Sequence, residues 1–138
     1  MSHVVSIRLK DDQMERLRRM ARRLGRTPSE TSVMMLEESL RASEFAFIEF
    51  RDTSVGRQAY IKSTRVAVWM VVDIVRNNDG DLEAAARYLD WPVIRIQAAM
   101  NYAGAFSEEI EYAIADATVT FEELKRRIPN LEHAFRDA

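Results

Sequence analysis

The chain has no cysteine, and only two histidines, three prolines and four glycines among its 138 residues. Without cysteine there is no disulfide, no thiolate nucleophile and no Cys-ligated zinc. His3 and His133 stand near opposite ends of the sequence, which argues against a histidine-based metal site or triad. No glycine-rich phosphate loop, nucleophile–base pair or metal-ligand spacing is present, so the expectation is a protein that is not an enzyme and carries no cofactor. Asp73 and Arg76 interrupt the longest apolar run, well short of the roughly 18 residues a membrane helix needs. The opening MSHVVSIRLK has too short an apolar stretch for a secretory signal, so the expected compartment is the cytoplasm, with no membrane partner. A hydrophobic content of 47% supports a core for one domain or two very small ones.

A formal net charge of −2 conceals an uneven distribution. Residues 1–26 hold eight basic and three acidic side chains, a net of +5, whereas residues 44–117 hold seven basic and twelve acidic, a net of −5. The last 21 residues carry four of each sign. A cationic end can meet phosphate, and an acidic middle is repelled by it; an arginine-rich solvated helix face is the plainer alternative.

Val4-Val5-Ser6-Ile7-Arg8-Leu9-Lys10 alternates, with Val5, Ile7 and Leu9 on one face and Val4, Ser6, Arg8 and Lys10 on the other, which predicts a half-buried strand. Asp11 or Asp12 then caps a helix whose Met14, Leu17, Ala21 and Leu24 share one side, and Gly25 ends it. Thr27-Pro28-Ser29-Glu30 starts a second helix, with Val33, Leu36 and Leu40 inward, running to about Ser43. One strand and two helices in about 40 residues bury too little to fold alone. Two copies with antiparallel strands solve both problems. Their ribbon fits the major groove of DNA, displaying Ser6 and Arg8 to base edges, and the start of the second helix suits a backbone phosphate.

Residues 4–43 resemble the ribbon-helix-helix family of dimeric repressors, which includes CopG-like antitoxins. The resemblance implies base-facing roles for Val4, Ser6 and Arg8, with Lys10 on the same face and Thr27 and Ser29 in the phosphate-contacting turn. Val4 departs from the family, since it offers only an apolar contact to a thymine methyl.

The middle region opens with Phe45-Ala46-Phe47-Ile48-Glu49-Phe50 as a strand, Arg51 to Gly56 as a turn, and Gln58–Ile61 as a second strand. Ser63-Thr64 is expected to cap a buried helix over Val66–Asn77, and Asp81 a second over DLEAAARYL. Asp90-Trp91-Pro92 leads into another from Val93 to about Tyr102, and Ser107 caps a further one through Ile114. The pair around Asp90–Pro92 looks like a helix-turn-helix. A second DNA reader in Arg95, Gln97 and Asn101 is set aside because the segment is acidic and that helix offers one cation. Trp69, Tyr88, Trp91 and Tyr102 are expected in the core. Met14, Met20, Met34 and Met35 are expected in the dimer core.

Residues 58–111 resemble a small bacterial family marked by Ile-Arg-Gly-Thr-Arg before an apolar helix, here Ile61-Lys62-Ser63-Thr64-Arg65, followed by an Ala-x-x-Tyr-Ala segment, here Ala98–Ala103. Its members look like VapB-type antitoxins of PIN-like ribonucleases. Ser63 replaces the usual glycine. Thr64 and Arg65 also have a simpler reading as a helix cap and a solvated first turn.

Thr120 with Glu123 forms a capping-box pattern; Phe121, Leu124 and Ile128 make one apolar stripe, Pro129 stops the helix, and Leu131 and Phe135 add a weaker stripe. Such a tail folds back on its own domain or docks in a partner's groove. By analogy with VapB-type antitoxins, Arg126 and Arg127 grip toxin carboxylates.

The expected fold is mainly α with short β. Residues 1–43 form a dimeric ribbon-helix-helix domain, 44–117 a small hairpin plus a trihelical, helix-turn-helix-like module, and 118–138 a helical partner-binding tail. The expected function is that of a type II antitoxin, a homodimer that autorepresses its operon at operator DNA and neutralises a VapC/PIN-like toxin in a higher oligomer. The rival is a stand-alone ribbon-helix-helix regulator whose C-terminal module binds a small molecule or another protein.

Overall fold

The computed structural model describes residues 1–127, the side chains of residues 119–121 excepted. It is mainly helical, with a two-stranded antiparallel sheet among the described residues. The chain divides into two compact units, residues 1–44 and the part from Phe45 onward.

The first unit holds α1 (Asp11–Leu24) and α2 (Pro28–Glu44). Lys10, not an aspartate, is the residue before the first turn of α1, and its amide donates to Gln13 Oε1 at 2.9 Å. Asp11 and Asp12 instead lie within that turn, where negative charge meets the positive end of the helix dipole. Gly25 takes the left-handed conformation (φ 66°) that closes α1, and the Arg26 amide donates back to the Ala21 carbonyl at 2.9 Å. Thr27 Oγ1 then accepts the Glu30 amide at 3.1 Å, so the expected cap of α2 forms.

Very little of this unit is buried: among its residues only Ala21 and Thr31 are. Pro28, Thr31, Met34, Glu38 and Arg41, the less exposed positions of α2, recur at three- and four-residue steps. Val33, Leu36 and Leu40, expected inward, lie outside that stripe at 68%, 55% and 47% exposed. Residues 1–10 belong to no helix or strand. The expected strand over Val4–Lys10 has no ladder among the described residues, because an extended segment becomes a strand only against another.

In the second unit β1 (Ile48–Thr53) pairs with β2 (Gly56–Ile61) in the register Ile48↔Ile61 to Thr53↔Gly56, around a two-residue turn at Ser54-Val55. The hairpin is tighter than expected, since Arg51–Thr53 extend β1 instead of opening the turn. Thr53 Oγ1 helps to fix it, accepting the Val55 amide and donating to the Gly56 carbonyl. At the other end Phe47 has a positive φ (62°), which keeps Phe45–Phe47 out of the strand. Phe45 turns into the core, edge-on to Tyr102 and Phe106 with centroids 5.5 Å away from each.

Four helices follow: α3 (Val68–Asn77), α4 (Leu82–Leu89), α5 (Val93–Ala105) and α6 (Ser107–Arg127). Thr64 does not cap α3. Its hydroxyl donates to the Ile61 carbonyl at 2.7 Å and accepts the Val66 amide at 3.1 Å, shaping the loop, and α3 begins after Ala67, which bridges to Tyr60. Asp81 caps α4 as expected, with Oδ1 accepting the Glu83 and Ala84 amides at 3.0 and 3.2 Å. The core joins Ile48, Ala59 and Ile61 of the hairpin to Val68, Val71, Val72 and Val75 of α3 and to Ile96, Ala99 and Tyr102 of α5. Tyr102 is fully buried, Trp69 and Trp91 are partly buried, and Tyr88, expected in the core, is 74% exposed. Helix α6 runs unbroken through residues 115–120, so Thr120 is interior to it and does not start a new helix, and residue 118 falls inside α6. Ile128, Pro129, Leu131 and Phe135 lie outside the described residues.

Candidate nucleic-acid interface

The cationic face begins with α1. Arg16, Arg18, Arg19, Arg22 and Arg23 are all exposed, and Arg19 bonds Glu15 one turn away at 3.3 Å without leaving solvent. An exposed pair of this kind contributes little to stability, so the charge is available to a polyanion.

Val4, Ser6, Arg8, Lys10, Thr27 and Ser29 are exposed without exception. Ser6, Arg8 and Lys10 share the polar parity of the N-terminal segment, and Val5, Ile7 and Leu9 share the other, with Val5 77%, Ile7 72% and Leu9 44% exposed. Among the described residues, Ser6 and Arg8 belong to no helix or strand that would fix their spacing from Thr27 and Ser29. Leu9 does reach a largely apolar groove between α1 and α2, alongside Leu17, Met20 and Met35.

The start of α2 is narrower as an anion site than its sequence suggests. Pro28 has no amide hydrogen, the Glu30 amide is engaged by Thr27 Oγ1, and the Thr31 amide and hydroxyl both donate to the Thr27 carbonyl at 3.0 and 2.8 Å. Among the described hydrogen bonds, the Ser29 amide and hydroxyl have no partner, and the Thr27 hydroxyl keeps its own hydrogen to give. Arg26, passed over as a site residue, shares a shallow depression with Ser29. Its place one residue after the left-handed Gly25 is the signal that could have found it.

The second unit offers other chemistry. Glu49 accepts from Arg51 and from the Ser63 amide at 3.2 Å; the Arg51 bond chiefly holds its carboxyl below the ordinary glutamate value, against a smaller opposing effect of burial. Arg76 and Glu111 link α3 to α6 and each favours the other's charged form, the guanidinium pKa moved upward and the carboxyl pKa downward. Near the end of α6, Leu124, Arg126 and Arg127 are exposed, with Arg127 bonded to Glu123 at 2.5 Å. The Phe121 side chain lies outside the described residues. Among the described residues, no three His, Asp or Glu side chains cluster closely enough to hold a metal ion, and no helix is long and apolar enough to cross a membrane.

Comparison with family models, with characterised proteins and with solved structures yields no match to this chain.

Proposed function

We propose that the chain is a DNA-binding autorepressor and the antitoxin of a type II toxin–antitoxin pair, working as a dimer built through its first unit. The observation that carries this reading is the poverty of that unit's core. Forty-four residues bury Ala21 and Thr31, while Val5, Ile7, Val33 and Leu36 remain more than half exposed. A domain of that size needs more buried apolar surface than this, and a second copy supplies it. Two N-terminal segments paired antiparallel satisfy each other's amides and place Val5, Ile7 and Leu9 on the helices. Val4, Ser6, Arg8 and Lys10 of each chain then face outward, on a ribbon that fits the major groove. Thr27, Ser29 and Arg26 flank it as phosphate contacts.

In this reading the second unit, with its helix-turn-helix-like α4–α5 pair, binds a PIN-like ribonuclease. The exposed end of α6, with Leu124, Arg126 and Arg127, is suited to a groove bordered by carboxylates. Linking several dimers through toxin raises the effective concentration at neighbouring operator repeats and tightens repression.

Arg8→Ala tests the ribbon directly. It is expected to weaken operator binding by about 1–3 kcal/mol and relax base preference, with toxin binding unchanged. Normal promoter binding in a gel-shift assay would refute the assignment. The antitoxin half is tested by co-purifying the chain with the product of the adjacent gene. A ribonuclease activity that appears when the two are separated supports it, and absence of any complex rejects it.

A further inference from the structure

The two edges of the hairpin in the second unit are used differently. The outer side of β2 is engaged at its end, where Tyr60 bridges to Ala67 and the Ile61 amide donates to the Val66 carbonyl at 3.0 Å. The outer side of β1 meets no strand among the described residues. The register fixes which groups it presents. The Lys62 amide donates to the Phe47 carbonyl at 2.7 Å, so Phe47, Glu49, Arg51 and Thr53 turn their main-chain groups toward β2. Ile48, Phe50 and Asp52 turn theirs away. Among the described residues, no hydrogen bond engages the main chain of Ile48 or Phe50 on that side. The strand IEFRDT has no proline or lysine, and its unbroken register leaves no bulge, so the usual guards of a free edge are missing.

Side-chain charge decides which strand fits there. Glu49 and Arg51 share the outer face of β1 and pair with each other, and Arg51 also lies over the Tyr60 ring at 4.7 Å. Ile48 and Phe50 share the core face, where Phe50 stands edge-on to Tyr102 at 6.3 Å yet stays only half-buried. A second β1 laid antiparallel must match main-chain parity, so the two-fold centre falls on a residue and not between two. Centred on Glu49, Arg51 or Asp52, it opposes two like charges; centred nearer either end, few residues overlap. Centred on Phe50, it sets each Glu49 opposite the other copy's Arg51 and one Phe50 beside the other. The pair within each strand persists, and the charges alternate in sign both along the strands and across them.

We infer that the free edge of β1 receives β1 of a second copy, antiparallel and centred on Phe50, so that one continuous sheet runs through both hairpins. Main-chain pairing supplies affinity, and the Glu49–Arg51 pattern selects the register. A strand of six residues buries far less than the roughly 1,200 Å² of a stable interface, so the contact forms between copies that are already held close. The inference rests on the dimer reading of the first unit for that proximity, which raises the effective concentration of one edge for the other.

The test follows amide hydrogen exchange by NMR in the full-length, ¹⁵N-labelled protein without DNA. The Phe50 amide is expected to exchange at least about tenfold more slowly than in Arg51→Glu, which sets like charges opposite each other. The Tyr60 amide, inside the hairpin, is the reference and is expected to keep its protection. Reversing both charges, Glu49→Arg with Arg51→Glu, restores the complementarity and is expected to restore the slow exchange. The register is read separately by co-expressing Glu49→Cys and Arg51→Cys under different tags, in a chain with no cysteine of its own. A disulfide is expected between the two variants and not between copies of either, because directly opposite positions lie within its reach and positions two residues out of register do not. Loss of Tyr60 protection would mark an unfolded charge variant, and the disulfide then decides. A protein that sediments as a dimer with a freely exchanging Phe50 amide and no mixed disulfide overturns this proposal and leaves the first-unit reading standing. A monomer with the same behaviour overturns both. Slow exchange that survives Arg51→Glu, or disulfides formed equally between copies of one variant, also overturns it.

Discussion

At the scale of single residues, the loop after β2 carries a visible cost. Ser63 sits at φ 64°, a left-handed conformation that glycine adopts freely and a residue with a Cβ does not. Its amide donates to Glu49 Oε1, a backbone bond that survives any side-chain change. Ser63→Gly is therefore expected to stabilise the second unit by about 0.5–1 kcal/mol, after allowing for glycine's greater freedom in the unfolded chain. The urea midpoint should rise with an unchanged slope, and a fall would mean that the hydroxyl makes a contact of its own. Glu49 gives a prediction in pH. Its carboxyl is held below the ordinary value, first by the Arg51 hydrogen bond and then by the Ser63 amide, so the unfolded chain takes up its proton at a higher pH than the folded one. The contribution is complete above the ordinary glutamate range and is lost as pH falls through the depressed value. Glu49→Gln should flatten the decline of stability on acidification through that range, measured by urea unfolding at successive pH values. The change is small, because about a third of the side chain is in solvent.

At the scale of elements, short helices depend most on their ends. Helix α4 has eight residues, and Asp81 satisfies two of its free amides with one carboxylate oxygen. Asp81→Ala should cost about 1 kcal/mol and Asp81→Asn much less, read as a shift in thermal midpoint. Such ends were legible because they depend on residue types at fixed spacing: Gly25 closing α1, Thr27 opening α2 and Asp81 opening α4 stand where the sequence places them. What was missed depends on contacts from afar. Phe45-Ala46-Phe47 has the aromatic content of a strand, yet Tyr102 and Phe106, more than fifty residues away, draw Phe45 into the core. The run Thr118-Val119-Thr120 looked like a break and a new cap. Each such residue costs a helix only a few tenths of a kcal/mol, and α6 absorbs them, with the Thr118 hydroxyl turned back to the Ile114 carbonyl at 3.0 Å. The candidate interface divides the same way. The alternation of Ser6 and Arg8 is a local pattern and could be read directly. Engagement of the Glu30 and Thr31 amides, which leaves Ser29 and Arg26 at the start of α2, emerges from geometry.

At the scale of the molecule, the two units differ in kind. The second buries a continuous core from hairpin to α6, whereas the first leaves most of its apolar side chains in solvent. The net charges of +5 over residues 1–26 and −5 over residues 44–117, stretches that do not coincide with the two units, leave one end of the sequence suited to a polyanion and its middle not. If a second copy completes the first unit, its stability must depend on protein concentration and that of the second unit need not. Leu36→Lys with Leu40→Lys places two charges on the face that α2 leaves exposed in the single chain, where they cost nothing to a monomer and much to a dimer. The doubly substituted protein is expected to sediment as a monomer and lose operator binding, while the near-ultraviolet dichroism of Tyr102 and Trp69 in the second unit is retained. Wild-type protein should show a lower-temperature transition that rises with concentration and is absent from the variant. A variant that stays dimeric and binds its operator would mean that the copies meet through some other surface. The exposed stripe of Val33, Leu36 and Leu40 would then need a different occupant.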